Sequence, residues 1–186
     1  MNNSLIFGLA ILSITYNCTN VNSQDFAANA TAQDSIYVMP THFSDDLVRD
    51  DALYTSLIRV DKQHDDDYVL SVQMNLKKDA HFVSPNAQRA FSGKFTIVLD
   101  EPGKIQALGT LIEKPLSIEE LDHREGLVNW VRKSTNYRQK LKILSGENFE
   151  ARGHVQFTIE PRCTLEKIPF LLSQKDGKLS LKLEGC

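Results

Sequence analysis

The stretch ARGHVQFTIEPRCTLEKIPF, Ala151–Phe170, running on into LLSQKDGKLSLKL, 171–183, decides how this chain folds. From Ala151 to Ile159 the residues alternate. Val155, Phe157 and Ile159 fall on one side, and Arg152, His154, Gln156 and Thr158 on the other. A period of two marks a half-buried β-strand, because successive side chains of an extended backbone point to opposite faces. The pattern breaks at Pro161–Cys163, where proline removes a ladder N–H, and a second strand resumes towards Phe170. Asp176-Gly177 is then a two-residue hairpin signal. It sets Lys175 opposite Lys178, Leu172 opposite Leu181 and Phe170 opposite Leu183, apolar facing apolar. Turn chemistry and hydrophobic pattern give the same register.

The same period runs upstream. Leu53–Val60 makes a first strand, and Tyr68, Leu70, Val72, Met74 and Leu76 alternate with Val69, Ser71, Gln73 and Asn75 in a second. Between them Asp61–Asp67, an acidic run holding His64, reads as a solvated hairpin loop rather than a metal site. Phe95–Leu99 is a strand closed by Glu101-Pro102-Gly103, and Ile105–Ile112 follows. Leu116–Arg124 departs from the pattern. Ser117 with Glu120 makes a capping box, Leu116 and Leu121 sit where a hydrophobic staple needs them, and Gly126 follows as a stop, so one short helix is predicted. Strands Leu127–Lys133 and Tyr137–Leu144 flank Ser134-Thr135-Asn136, with Trp130, the only tryptophan, expected as a core anchor. The sum is an all-β, antiparallel two-sheet sandwich with one short helix.

The 186 residues, 41% hydrophobic and 24% charged, suffice for one domain and a tail. A net charge of −3 and a pI of 5.9 give no basic footprint for nucleic acid. Leu5–Ile14 is an apolar run of signal-peptide length, too short to span a bilayer, with Val21-Asn22-Ser23 as a cleavage site. The reading is a signal peptide over 1–23, a flexible arm or linker over 24–50, and a domain over 51–186. Such a chain is exported, periplasmic or secreted, with no transmembrane segment after signal removal. Cys18 offers a lipid-anchoring alternative.

Chemistry is sparse. There is no Gly-x-Ser-x-Gly, His-Glu-x-x-His or Cys-x-x-Cys, and the five histidines are scattered away from helical ligand spacing. No cofactor or metal site is expected. The three cysteines, Cys18, Cys163 and Cys186, do not make a disulfide framework. Extending the hairpin register places Cys186 opposite Lys167, four positions from Cys163. At about 3.3 Å per residue that is about 13 Å, beyond the roughly 7 Å a disulfide spans.

Two segments carry a resemblance. Tyr54–Ser84, ending in Asp79-Ala80-His81-Phe82-Val83-Ser84, resembles the opening of the N-terminal periplasmic domain of DsbD-type thiol:disulfide interchange proteins. Gly153–Phe170 is similar to that family's cysteine-bearing turn between two strands. The resemblance covers about residues 52–172 and implies an immunoglobulin-like sandwich. It also implies a catalytic cysteine pair. Only Cys163 is present, matching the second; the first would fall near Ile159, and Thr164-Leu165-Glu166 stands where the family has Leu-Pro-Pro. One thiol cannot close an intramolecular disulfide, so it cannot relay two electrons alone.

Three functions follow. The first is an immunoglobulin-like module without catalysis, used for protein binding or assembly. The second is thiol–disulfide exchange through Cys163 with a protein partner such as a thioredoxin-like protein; Arg162 and Lys167 would favour its thiolate. A buried, inert Cys163 is the alternative to that role. The third is a secreted binding sandwich unrelated to the family.

Overall fold

The computed structural model describes residues 46–64 and 67–182. The signal peptide, Cys18, the arm as far as residue 45, Leu183 and Cys186 lie outside the described residues. Twelve strands follow one another, and no helix occurs among the described residues.

Five strands form the larger sheet, in the order β1-β2-β3-β9-β6: β1 (Leu47–Asp50), β2 (Tyr54–His64), β3 (Asp67–Leu76), β9 (Thr135–Ile143) and β6 (Ile105–Lys114). Four form the second, in the order β12-β11-β10-β5: β12 (Lys178–Lys182), β11 (Thr164–Lys175), β10 (Phe149–Ile159) and β5 (Thr96–Leu99). A third, small sheet, β4-β8-β7, holds β4 (Phe82–Val83), β8 (Gly126–Val131) and β7 (Glu119–Asp122). Every strand pairing is antiparallel.

One apolar core lies between the two large sheets and takes Ile58, Leu70, Val72, Met74 and Leu141 from one and Val155, Ile159, Ile168, Phe170 and Leu172 from the other. At its centre aromatic rings interlock. Phe95 stacks on Tyr137 at 3.9 Å, and Phe157 meets Tyr54 and Phe82, each at 5.2 Å. Gly153 of β10 is required by close approach, since a Cβ there would lie 2.6 Å from the Val98 carbonyl oxygen and 2.7 Å from the Phe170 ring.

The hairpin expected at Asp176-Gly177 is present, with Lys175 opposite Lys178 and Leu172 opposite Leu181. Both turn residues have positive φ, 51° and 76°, as a type I′ turn requires. Val155, Phe157 and Ile159 are buried as expected.

The structure corrects several expectations. Residues 116–124 form no helix; Glu119–Asp122 is β7, hairpinned to β8. The capping box is pre-empted, because the Ser117 N–H donates to the buried Glu113 carboxylate at 2.6 Å and Glu120 pairs with Arg132 at 2.8 Å. Gly126, read as a helix stop, is a hairpin glycine with φ 78°. The acidic loop is also shorter than expected. Strand pairing continues to Lys62 opposite Tyr68 and His64 opposite Asp67. Leu47–Asp50, within the span assigned to the arm, is an edge strand on β2. Trp130 is half-buried and packs against a satellite cluster of Val83, Ala87 and Val128 instead of anchoring the main core. A third sheet joins the two that were expected.

Candidate functional site

Residues 160–163 connect β10 to β11, closing a hairpin whose last pair is Ile159 opposite Thr164. Cys163 sits in this turn, exposed and with φ 54°. That left-handed conformation costs a residue with a Cβ about 1–2 kcal/mol and is normally left to glycine or asparagine. The alternative of a buried strand cysteine is thereby overturned. A tight turn between two long strands puts the thiol in solvent.

Charged side chains brace the turn from below. Glu166, buried on β11, accepts hydrogen bonds from Arg162 Nη2 at 2.6 Å and from the Tyr54 hydroxyl at 3.1 Å. Arg49 reaches the same carboxylate at 3.8 Å and donates from Nε to the Tyr54 oxygen at 3.2 Å. Asp51 pairs with Arg162 at 3.3 Å and accepts the Leu53 N–H at 2.9 Å. The Leu53 N–H, helped by Arg162 and Arg49, holds the Asp51 carboxyl below the ordinary value. Arg162, expected to favour a thiolate, is thus committed to two carboxylates. Lys167 is exposed on β11.

Burial, reinforced by the Glu166 charge, pushes the Tyr54 phenol up to about 12. A raised phenol favours the folded state fully below the unfolded value of 10.0, and this contribution is lost as pH rises towards about 12. Denaturant midpoints are therefore expected to fall across that window, with a smaller fall in Tyr54→Phe. Burial, reinforced by the Glu113 charge, raises the Tyr137 phenol as well.

The two segments that carry the family resemblance meet here. His81 and Glu160 exchange backbone hydrogen bonds of 3.2 and 2.9 Å, laddering the His81–Ser84 stretch onto the start of the Cys163 turn. Phe82, Val83 and Ser84 are buried, and the Ser84 hydroxyl donates to Glu113 at 2.5 Å. The His81 ring meets Trp130 edge-on at 4.9 Å. Among the described residues no three His, Cys, Asp or Glu side chains gather as a metal site, and no helix is long and apolar enough to cross a membrane.

Beyond Trp130 lies a surface that reasoning from local sequence missed. Leu116, Ile118, Leu121 and Leu127 are 66%, 84%, 75% and 53% exposed. Leu121 and Leu127 are cross-strand partners. Leu116 and Ile118 line a groove of about 220 Å³ with Trp130, Glu120, Arg132 and Lys133. The signal was present in the sequence as the run LSIEEL. A helical reading assigned two of these leucines to a staple.

No protein-family model matches the chain, and no curated protein matches it. Among solved structures it is similar to the reduced N-terminal domain of DsbD from Neisseria meningitidis, with a TM-score of 0.40 and 10% identity over 67% of this chain and 88% of that one. It is also similar to the GAE domain of GGA2p from Saccharomyces cerevisiae, with a TM-score of 0.38 and 7% identity over 70% and 98% of the two chains. The yeast GGA1 GAE domain gives a TM-score of 0.38 and 8% identity over the same shares.

Proposed function

We propose that this chain is an exported immunoglobulin-like module that binds another protein and carries out no catalysis of its own. The observation that supports this is the apolar surface of the β7–β8 hairpin. Leu116 and Ile118, in the segment that enters β7, and Leu121 and Leu127, paired across the hairpin on its other face, are each more than half exposed. Large aliphatic side chains gathered along one ribbon mark an interaction surface better than a solvated one. Export rests on the Leu5–Ile14 run. Kinship with the DsbD N-terminal domain rests on the two resembling segments, which are neighbours through His81 and Glu160.

A double variant, Ile118→Asp with Leu121→Asp, tests the reading. Both positions are exposed, so the variant should keep the thermal midpoint of the parent. In cells that make the chain, the partner that co-purifies with the parent is expected to be lost. Equal recovery by a folded double variant sinks the proposal.

One observation favours a second reading, thiol–disulfide exchange with a thioredoxin-like protein, and that is the exposure of Cys163. Exposure means that a thiol reagent labels Cys163 in the folded protein, and failure to label without denaturant rules this reading out. Labelling alone does not establish exchange. A trapped mixed disulfide with a thioredoxin-like protein, lost in Cys163→Ser, is the result this reading needs.

A further inference from the structure

The β7–β8 hairpin combines a groove with a free sheet edge. β7 pairs with β8 on one side and, among the described residues, with nothing on the other. An unpaired edge offers a row of backbone N–H and C=O groups to an incoming strand. Continuing the β7–β8 register places Ile118 opposite Trp130, so the groove and the free edge belong to one ribbon.

Size selects the occupant. At about 220 Å³ the groove falls below the roughly 300–1,000 Å³ of small-molecule sites and suits one large side chain. The exposed aliphatic side chains, divided between the two faces of the ribbon, also fall short of the roughly 800 Å² that each partner buries in a stable complex of folded surfaces. A second copy docked on this patch alone is therefore disfavoured. An extended peptide, whose backbone bonds add to a single side-chain anchor, fits both limits.

Charge adds a polarity. Lys133 lines the groove, and its ammonium pairs with no carboxylate among the described residues. Arg132 is balanced by Glu120. Further along, Glu119 leaves a carboxylate, unpaired among the described residues, on the exposed part of β7, whereas Asp122 is partly buried and accepts the Arg124 and Glu125 N–H groups. We propose that this hairpin captures an extended peptide segment of a partner protein as an added strand on β7. The segment places one apolar side chain in the groove, an acidic residue towards Lys133, and a basic residue towards Glu119.

This rests on the protein-binding reading and names the partner's chemistry. A random peptide library displayed on phage, selected on the immobilised chain, tests it. Enriched peptides are expected to share an apolar anchor with an acid on one side and a base on the other. A synthetic copy should shift the emission of Trp130, the chain's only tryptophan, and fail to bind Ile118→Asp. N-methylation at alternate peptide residues should weaken it at least tenfold, and Lys133→Glu should remove the preference for the acid. The proposal is overturned by no enrichment, by equal binding to Ile118→Asp, or by indifference to N-methylation. It is also overturned if Trp130 emission moves with protein concentration alone, which identifies a second copy as the occupant. A partner that the double variant loses, together with a library that yields nothing, would sink this proposal and leave the protein-binding reading standing.

Discussion

Replacing Phe157 by alanine is expected to destabilise the protein by about 3–5 kcal/mol, the usual range for truncating a buried aromatic residue. Phe157 lies on the inward face of β10, fully buried. Its ring meets Tyr54 of β2 at 5.2 Å, Phe82 of β4 at 5.2 Å and Phe95 at 6.0 Å. It therefore touches all three sheets or the segments between them, and no neighbour can collapse into its place without moving a strand. A loss of this size is a large part of a stability of about 5–15 kcal/mol. Urea unfolding followed by circular dichroism checks it. The midpoint should fall steeply with an unchanged slope. A loss under about 1 kcal/mol would mean that the sheets do not pack through this ring.

Replacing Glu166 by alanine is expected to cost about 2 kcal/mol, the scale of leaving a buried hydroxyl donor without its acceptor. Tyr54 loses the acceptor at 3.1 Å, and Arg162 keeps only Asp51. The carboxylate also helps to raise the Tyr54 phenol, so removing it should bring that phenol down from about 12. Glu166→Gln keeps an acceptor for the hydroxyl without the charge. It is expected to retain more than half of the lost stability while still lowering the phenol. Absorbance titration of tyrosinate, alongside unfolding, separates the two effects. An unmoved phenol in both variants contradicts the proposed bracing of the Cys163 turn.

What was legible in the sequence was what neighbouring residues decide. The Asp176-Gly177 hairpin followed from two turn residues and the leucines beside them, and the structure has that register. The inward face of β10 followed from simple alternation. Local signals failed where a competing contact outweighed them. The Ser117 capping box was sound in isolation, but Glu113, delivered by β6, takes the N–H that a capped helix turn would use. Edge strand β1 was hidden because only Leu47 of its four residues turns inward. The turn that carries Cys163 was readable from Pro161. The charges beneath it were not, because Asp51 lies 111 residues from Arg162 and Tyr54 lies 112 from Glu166. No spacing rule links residues so far apart. Arg162 could be read as a thiol's neighbour, but its two carboxylate partners could not.

The exposed leucines mark the surface on which the functional account depends, and site-specific photo-cross-linking tests that account most directly. A photoreactive amino acid is placed at Ile118, on the β7–β8 surface, or at Leu165, which is 51% exposed beside the Cys163 turn, in cells that make the chain. The account predicts a partner captured from position 118 and absent from position 165. Capture from 165 with none from 118 would contradict it and move the interaction to the thiol.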